Sequence, residues 1–111
     1  NTIQTYVPWG IHQYKNPDIF DFNMSLKLFT FLKTADELNL NVILRIGPFN
    51  DAELDYGGIP LWMISKNIIP RSNDKCYLAY VRKWVVYLSK ILKKYLYQNG
   101  GPVIMIQVEN E

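Results

Sequence analysis

Thiol chemistry is nearly absent from this chain, because Cys76 is its single cysteine. One thiol cannot close an internal disulfide, so the fold is not held by a disulfide framework. Cys76 stands at the start of a helical pattern, where a structural role is favoured over a nucleophilic one. Histidine is equally scarce. His12 is the only one, and a lone His and a lone Cys far apart make a poor metal-ligand set. No metal and no cofactor is expected. An excess of one charge sign is missing too: twelve basic residues face ten acidic ones, for a net charge of +2. That leaves no electrostatic case for nucleic acid or an anionic membrane as partner. The cluster Lys90, Lys93 and Lys94 reads as a solvated face complementing a helix C-terminus. No apolar run reaches the ~18 residues of a membrane span. A phosphate-binding turn is absent as well. After the first strand the chain reads Val7-Pro8-Trp9-Gly10, with no G-x-G-x-x-G and no P-loop pattern, which disfavours a nucleotide-binding fold. Finally, there is no N-terminal Met and no signal peptide. The chain starts in strand-like sequence at Asn1-Thr2-Ile3-Gln4 and stops at Glu111. Both ends are expected to be cuts inside a larger domain.

What is present is globular composition: 49% hydrophobic residues and 14% aromatics over 111 residues, enough for one domain with a core. Three strand patterns alternate with two helices. The strands are expected at Thr2–Val7, Asn41–Gly47 and Pro102–Val108, whose β-branched runs suit a parallel sheet buried on both faces. The first helix is expected from Met24 to Asn39, with Leu28, Phe31, Leu32, Ala35 and Leu38 on its apolar stripe and Asn23 as a cap. The second is expected from Lys75 to Tyr97. Asp74 is its cap, and Leu78, Val81, Val85, Leu88, Leu92 and Tyr95 form its stripe. Gly100-Gly101-Pro102 stops it. The order β-α-β-α-β predicts right-handed crossovers and an α/β fold, with a (β/α)-barrel segment favoured over an open nucleotide-binding sheet. The connection from Phe49 to Asn73 is long, and its aromatics, glycines and acids mark it as functional.

In such folds chemistry sits at the C-terminal ends of parallel strands. The first strand delivers Tyr6, Trp9 and His12 there. The second delivers Asn50, Asp51 and Glu53, and the third Glu109, Asn110 and Glu111. Aromatic rings beside carboxylates and amides suit a sugar. Each residue also has a plainer reading. A strand-end Glu is by itself more often solvated or ion-paired, Tyr6 and Trp9 could belong to the core, His12 is more often a satisfied loop histidine, and Asp51 could be surface. Arg45, within a buried strand, needs a partner, for which Glu109 is the candidate. The triplet Asn23-Met24-Ser25 is a glycosylation sequon, with helix capping as the rival use of Asn23.

Several motifs together carry a family resemblance. Asn1 to Trp9 resembles the "NTIQTYVPWN" strand of family 35 glycoside hydrolases, β-galactosidases of the lysosomal type. Val42-Ile43-Leu44-Arg45 through Gly47-Pro48 resembles "VILRPGPY". Ala52-Glu53 with Gly57-Gly58-Ile59-Pro60-Leu61-Trp62 resembles "CAEWDMGGLPAWL". Tyr97 to Ile104 and Gln107 to Glu111 resemble "YQNGGPVI" and "QVENEYGSY". The matches run in order over nearly the whole chain.

The resemblance implies that residues 1–111 are a fragment of a single catalytic TIM (β/α)8 barrel, covering its second to fourth strands. It implies removal of terminal β-galactose from glycoconjugates by a retaining mechanism, in a lysosomal or extracellular protein. Glu111 takes the place of the general acid/base. Asn110 holds the sugar near its 2-hydroxyl, and Tyr6, Ala52 and Glu53 match positions that bind galactose hydroxyls. Arg45, Asp51 and Glu109 stand behind them. The nucleophile is a second Glu from a later strand, outside this sequence, so the 111 residues alone are expected to be inactive and prone to aggregate along open sheet edges. A β-galactoside is the implied partner, and a homo-oligomer of the parent protein is compatible with the sequence. The acid needs a raised pKa, which burial beside a second carboxylate can supply. On a straight strand Glu109 and Glu111 would share one face and Asn110 the other. A kinked strand end is therefore expected, by a bulge or a non-proline cis bond.

Five positions depart from the family pattern, three of them flanking the sugar pocket: Asp51 where Cys is common, Phe49 for Tyr, Leu54 for Trp, Ile46 for Pro and Gly10 for Asn. Asp51 adds a charge beside Glu53 and bears on sugar specificity more than on fold. Two other readings stay open: a non-catalytic carbohydrate-binding relative, and a hydrolase of the same barrel superfamily acting on another sugar.

Overall fold

A computed structural model describes residues 1–23 and 27–111. Its elements are β1 (Thr2–Tyr6), α1 (Trp9–His12), α2 (Leu28–Glu37), β2 (Asn41–Gly47), α3 (Trp62–Ser65), α4 (Lys75–Leu92) and β3 (Val103–Val108). The three strands form one parallel sheet in the order β1-β2-β3, with β2 in the middle. The strands fall where the β-branched runs place them. Val7 also continues the ladder, donating its N–H to the Arg45 carbonyl at 2.8 Å. Pro102, which has no N–H to donate, precedes β3.

The helices differ more from expectation. Met24, Ser25 and Leu26 lie outside the described residues, and with them the expected first turn of α2 and part of the Asn23-Met24-Ser25 triplet. The described helix starts after Lys27, with no side-chain cap. The N–H of Asn23 is instead held by the Asp21 carboxylate at 2.9 Å. At the other end Asn39 adopts φ 54°, and Leu40 donates to the Ala35 carbonyl at 2.8 Å, so α2 stops at Glu37 rather than Asn39. The capping of α4 is as expected: Asp74 accepts the N–H groups of Cys76 and Tyr77 at 2.7 and 3.1 Å. Beyond Leu92 the chain tightens into 3₁₀ turns at Lys93–Tyr95 and Tyr97–Asn99.

One face of the sheet is the core face. Val42, Leu44, Ile46 and Val103 are buried there with Leu28, Leu32 and Ala35 of α2 and Tyr77, Trp84, Leu88 and Leu92 of α4. Phe31 and Leu38 of α2 stay exposed. On α4 Leu88 and Leu92 are buried as expected, but in its first half Tyr77 and Trp84 turn inward in place of Leu78 and Val85, which face out. Both alignments repeat at seven residues, so periodicity could not choose between them. The larger area of an aromatic side chain decides it.

Trp84 is the hub of that core. Its ring stacks with those of Trp9, His12, Phe20 and Phe22 at centroid distances of 5.9 to 6.4 Å. Its indole N–H donates to the Ile46 carbonyl at 2.9 Å. This fastens α4 to the C-terminal end of the central strand.

The opposite face is open, contrary to strands buried on both sides. Register and alternation place Gln4, Tyr6, Ile43, Arg45, Met105 and Gln107 there. Gln4 and Gln107 bridge across the central strand with a side-chain hydrogen bond of 2.8 Å. Met105 is 58% exposed and Val108 64%, so β3 is an apolar edge.

Candidate functional site

The C-terminal ends of the three strands meet at one rim. Their junction is made by backbone and side-chain bonds together. Glu109, just past β3, donates its N–H to the Gly47 carbonyl at 2.9 Å. Its carboxylate accepts the N–H of Phe49 at 3.0 Å. The end of β3 is thereby locked to the turn that follows β2. The kink expected in β3 is present. The β2–β3 register shifts between Arg45 and Gly47, and Glu109 and Glu111 adopt φ of 63° and 60°. Left-handed residues break the simple alternation of a strand. The cis bond found at the rim is Gly47-Pro48, an X-Pro bond, not a non-proline one.

The turn after β2 is the most contorted part of the chain. Asp51, Ala52 and Glu53 are three consecutive left-handed residues, with φ of 58°, 52° and 55°. Such residues persist only where neighbours over-determine them, and they gather at functional sites. Here the Gly57 carbonyl accepts the N–H groups of Asn50 and Asp51 at 2.7 and 3.2 Å, and Leu54 donates to the Asp51 carbonyl at 2.9 Å. Gly57 itself has φ +62°, and a Cβ there would collide with the Phe49 ring. Only glycine fits both demands. The turn presents Asp51 and Glu53 as exposed carboxylates with Ala52 half-buried between them.

Tyr6 stands on the open face, 42% exposed. The Arg45 guanidinium lies 4.8 Å from its ring centre and donates to the Asn50 carbonyl at 3.2 Å. The expected pairing of Glu109 with Arg45 is not what forms. Glu109 pairs with Arg71 at 3.3 Å. The physical reason is that Arg45 is not sealed in the sheet. It lies on the uncovered face, where the Asn50 carbonyl takes one Nη donor and the Tyr6 ring lies against the guanidinium, although its Nε is buried without a hydrogen-bond partner, while Glu109 is drawn to the loop ahead of α4. Trp9 and His12, offered to the rim by the sequence, fold into the core instead. Trp9 is fully buried and donates its indole N–H to Gln13. His12 stacks on Phe22 at 3.9 Å, with Nδ1 2.9 Å from the Asp21 carbonyl oxygen. Burial pushes its pKa below the ordinary 6.5, against the opposing pull of Asp21.

Asn110 is half-buried and Glu111 exposed at the tip of the rim. Tyr6, Arg45, Asn50, the Asp51–Glu53 turn, Glu109, Asn110 and Glu111 thus gather at the C-terminal end of one sheet. Arg71 joins them, a residue that sequence reasoning missed. It reaches Glu109 across 38 positions of chain, a separation without local signature; the unusual length of the Phe49–Asn73 connection was the one available pointer. Below the rim the Tyr77 hydroxyl is buried without a hydrogen-bond partner. Burial is the main cause of its raised pKa. A groove of about 670 Å³ lined by Phe29, Ile91 and Tyr95 lies at the far end of α4, away from this rim. No group of three His, Cys, Asp or Glu with metal-binding geometry occurs among the described residues. No helix among them is long and apolar enough to cross a membrane.

Known proteins resemble this chain in sequence. The beta-galactosidase of Felis catus is 52% identical over all of this chain, which covers 17% of that protein. The Homo sapiens beta-galactosidase is 50% identical, with 16% of it covered. The rice beta-galactosidase 8, from Oryza sativa subsp. japonica, is 44% identical, with 17% covered. The chain therefore spans about a sixth of the length of the curated relatives it matches. Residues 1–111 also match, from end to end, the family described as Glycosyl hydrolases family 35. On these grounds the chain belongs to glycosyl hydrolase family 35.

Proposed function

We propose that this chain is part of a retaining β-galactosidase-like hydrolase that removes terminal β-galactose, with Glu111 as its general acid/base. The observation that carries the reading is the double lock between Glu109 and the β2 turn. It fastens the segment that ends in Asn110 and Glu111 to the turn that leads into Asp51–Glu53. In this reading Asn110 and Glu53, with Ala52 and Tyr6, bind the sugar hydroxyls, and the protonated Glu111 donates to the leaving oxygen. A second carboxylate, supplied by a glutamate outside these residues, attacks the anomeric carbon from ~5–5.5 Å away. The three-stranded sheet is then the second to fourth strands of a (β/α)8 barrel, which usually needs ~250 residues. The open face becomes part of the barrel interior, and the apolar edge of β3 receives the next strand. The 111 residues alone are inactive in this reading, and the parent protein works in a lysosome or outside the cell. The names of the relatives and the family membership support the reading.

The test is Glu111→Gln in the full-length protein, assayed on an aryl β-galactoside. General acid/base catalysis contributes about 10²–10⁴-fold, so a loss of that order is expected; near-normal hydrolysis would sink the assignment. One observation favours a different sugar: Asp51 is an exposed carboxylate next to Glu53. A panel of aryl glycosides separates the two, since the first reading requires the galactoside to be the preferred substrate.

A further inference from the structure

Arg71 makes more polar contacts to the end of β3 than any residue discussed above. Its Nε pairs with the Glu109 carboxylate at 3.3 Å. Its Nη2 donates to the backbone oxygens of both Asn110 and Glu111 at 2.9 Å. The guanidinium plane also covers the Phe49 ring, 4.2 Å from its centre. Phe49 is the residue whose N–H binds the other oxygen of Glu109. One side chain thus touches three consecutive strand-end residues and the turn they are locked to.

The loop that carries Arg71 is itself held rigid. Asp74 accepts the Ile69 N–H at 3.2 Å while capping α4. Ser72 donates its hydroxyl to the Ile69 carbonyl at 2.7 Å and accepts the Asp74 N–H at 3.1 Å. Arg71 sits in this loop at φ 55°, the left-handed region again.

We propose that Arg71 is a positioning residue, a fork that fixes the left-handed end of β3 and so aims Asn110 and Glu111 at the substrate; this rests on Glu111 being the acid/base. A salt bridge alone would not require arginine. A planar guanidinium can satisfy a carboxylate and neighbouring backbone oxygens at once, and it stacks on an aromatic face. An ammonium has three donors but they diverge from one point, so it lacks the planar fork that reaches separated oxygens while its face lies on a ring. The pair is part-exposed, so its contribution to overall stability is small and its effect falls on geometry.

The experiment uses the full-length protein with Arg71→Met, Arg71→Lys and, in parallel, Glu111→Gln. Each is assayed for kcat/KM on two substrates: phenyl β-galactoside, whose poor leaving group needs protonation, and dinitrophenyl β-galactoside, whose leaving group does not. Misaiming the acid hurts the phenyl substrate more, so its loss in Arg71→Met should exceed the dinitrophenyl loss by about tenfold. Arg71→Lys should show the same bias at an unchanged melting temperature. An equal loss on both substrates, or none, overturns the proposal. If Glu111→Gln shows the leaving-group bias and Arg71→Met does not, the positioning role fails while the acid/base assignment stands. If Glu111→Gln behaves as wild type, the acid/base assignment fails. A crystal structure of the Arg71→Met protein gives a readout free of activity: the main chain of residues 109–111 should move with the sheet intact, and an unmoved strand end overturns the role.

Discussion

The carboxylate of Glu109 holds the backbone N–H of Phe49 at 3.0 Å, across 60 positions of sequence. This contact turns two strand ends into one surface. A side chain that stabilises by accepting a backbone N–H leaves that group unsatisfied when it is removed.

Glu109→Ala is therefore expected to lower the stability of the full-length protein by about 1–3 kcal/mol, read as a fall in the denaturation midpoint. Glu109→Gln keeps an oxygen for the Phe49 N–H and loses only the charge facing Arg71. Its cost should be under about 1 kcal/mol, since the ion pair is part-exposed.

Trp84 anchors α4 to the end of β2. Trp84→Phe keeps an aromatic ring in the hub but strands the Ile46 carbonyl, which should cost about 1–3 kcal/mol. Trp84→Ala empties the centre of the cluster and should cost about 3–5 kcal/mol. Chemical denaturation of the two variants should rank them in that order.

Gly57 has no room for a side chain. Its φ of +62° and the Phe49 ring against it both oppose a methyl group. Gly57→Ala should destabilise by more than about 1 kcal/mol, and it should also displace Phe49 from beneath Arg71. A thermal melt reads the first effect, and a loss of activity larger than the loss of folded protein reads the second.

His12 makes stability depend on pH. Burial depresses its folded pKa below 6.5, so near that pH the unfolded chain takes up a proton that the native core refuses. The stabilisation is fully present above 6.5 and declines as pH falls from there through the folded value. His12→Phe should flatten the stability profile between about pH 7 and 5 relative to wild type; parallel profiles would refute the linkage. Asp74 acts in a more acidic window. The Ile69 N–H, with those of Tyr77 and Cys76, holds its carboxyl below the ordinary 3.8. Its contribution is present above that value and is lost as pH falls through the folded one. Asp74→Ala should lower stability at neutral pH through loss of the helix cap, and by less in acid.

How far the sequence reaches is shown by particular elements. The three strands were legible because β-branched runs bounded by Gly, Pro and Asn have few other solutions. The cap of α4 was legible because an Asp side chain meets N–H groups two and three residues on, a local event. The inner face of α4 was legible at Leu88 and Leu92 but not in its first half, where two stripes of equal period competed and the packing of Tyr77 and Trp84 decided between them. Trp9 stayed open between rim and core for the same reason: an aromatic near a strand end suits a sugar site and a core equally until its neighbours are known.

By itself the sequence determined the parallel strands, the order of elements, the family and the polar residues that the strand ends themselves deliver to one rim. Those properties follow from short-range patterns and motifs. Tertiary structure alone decided that Glu109 pairs with Arg71 rather than Arg45, that Gly57 makes room for Phe49, and that the end of β3 is held from a loop 38 residues earlier. A contact between distant residues is settled by the shape of everything packed around it, and no window along the chain contains that shape.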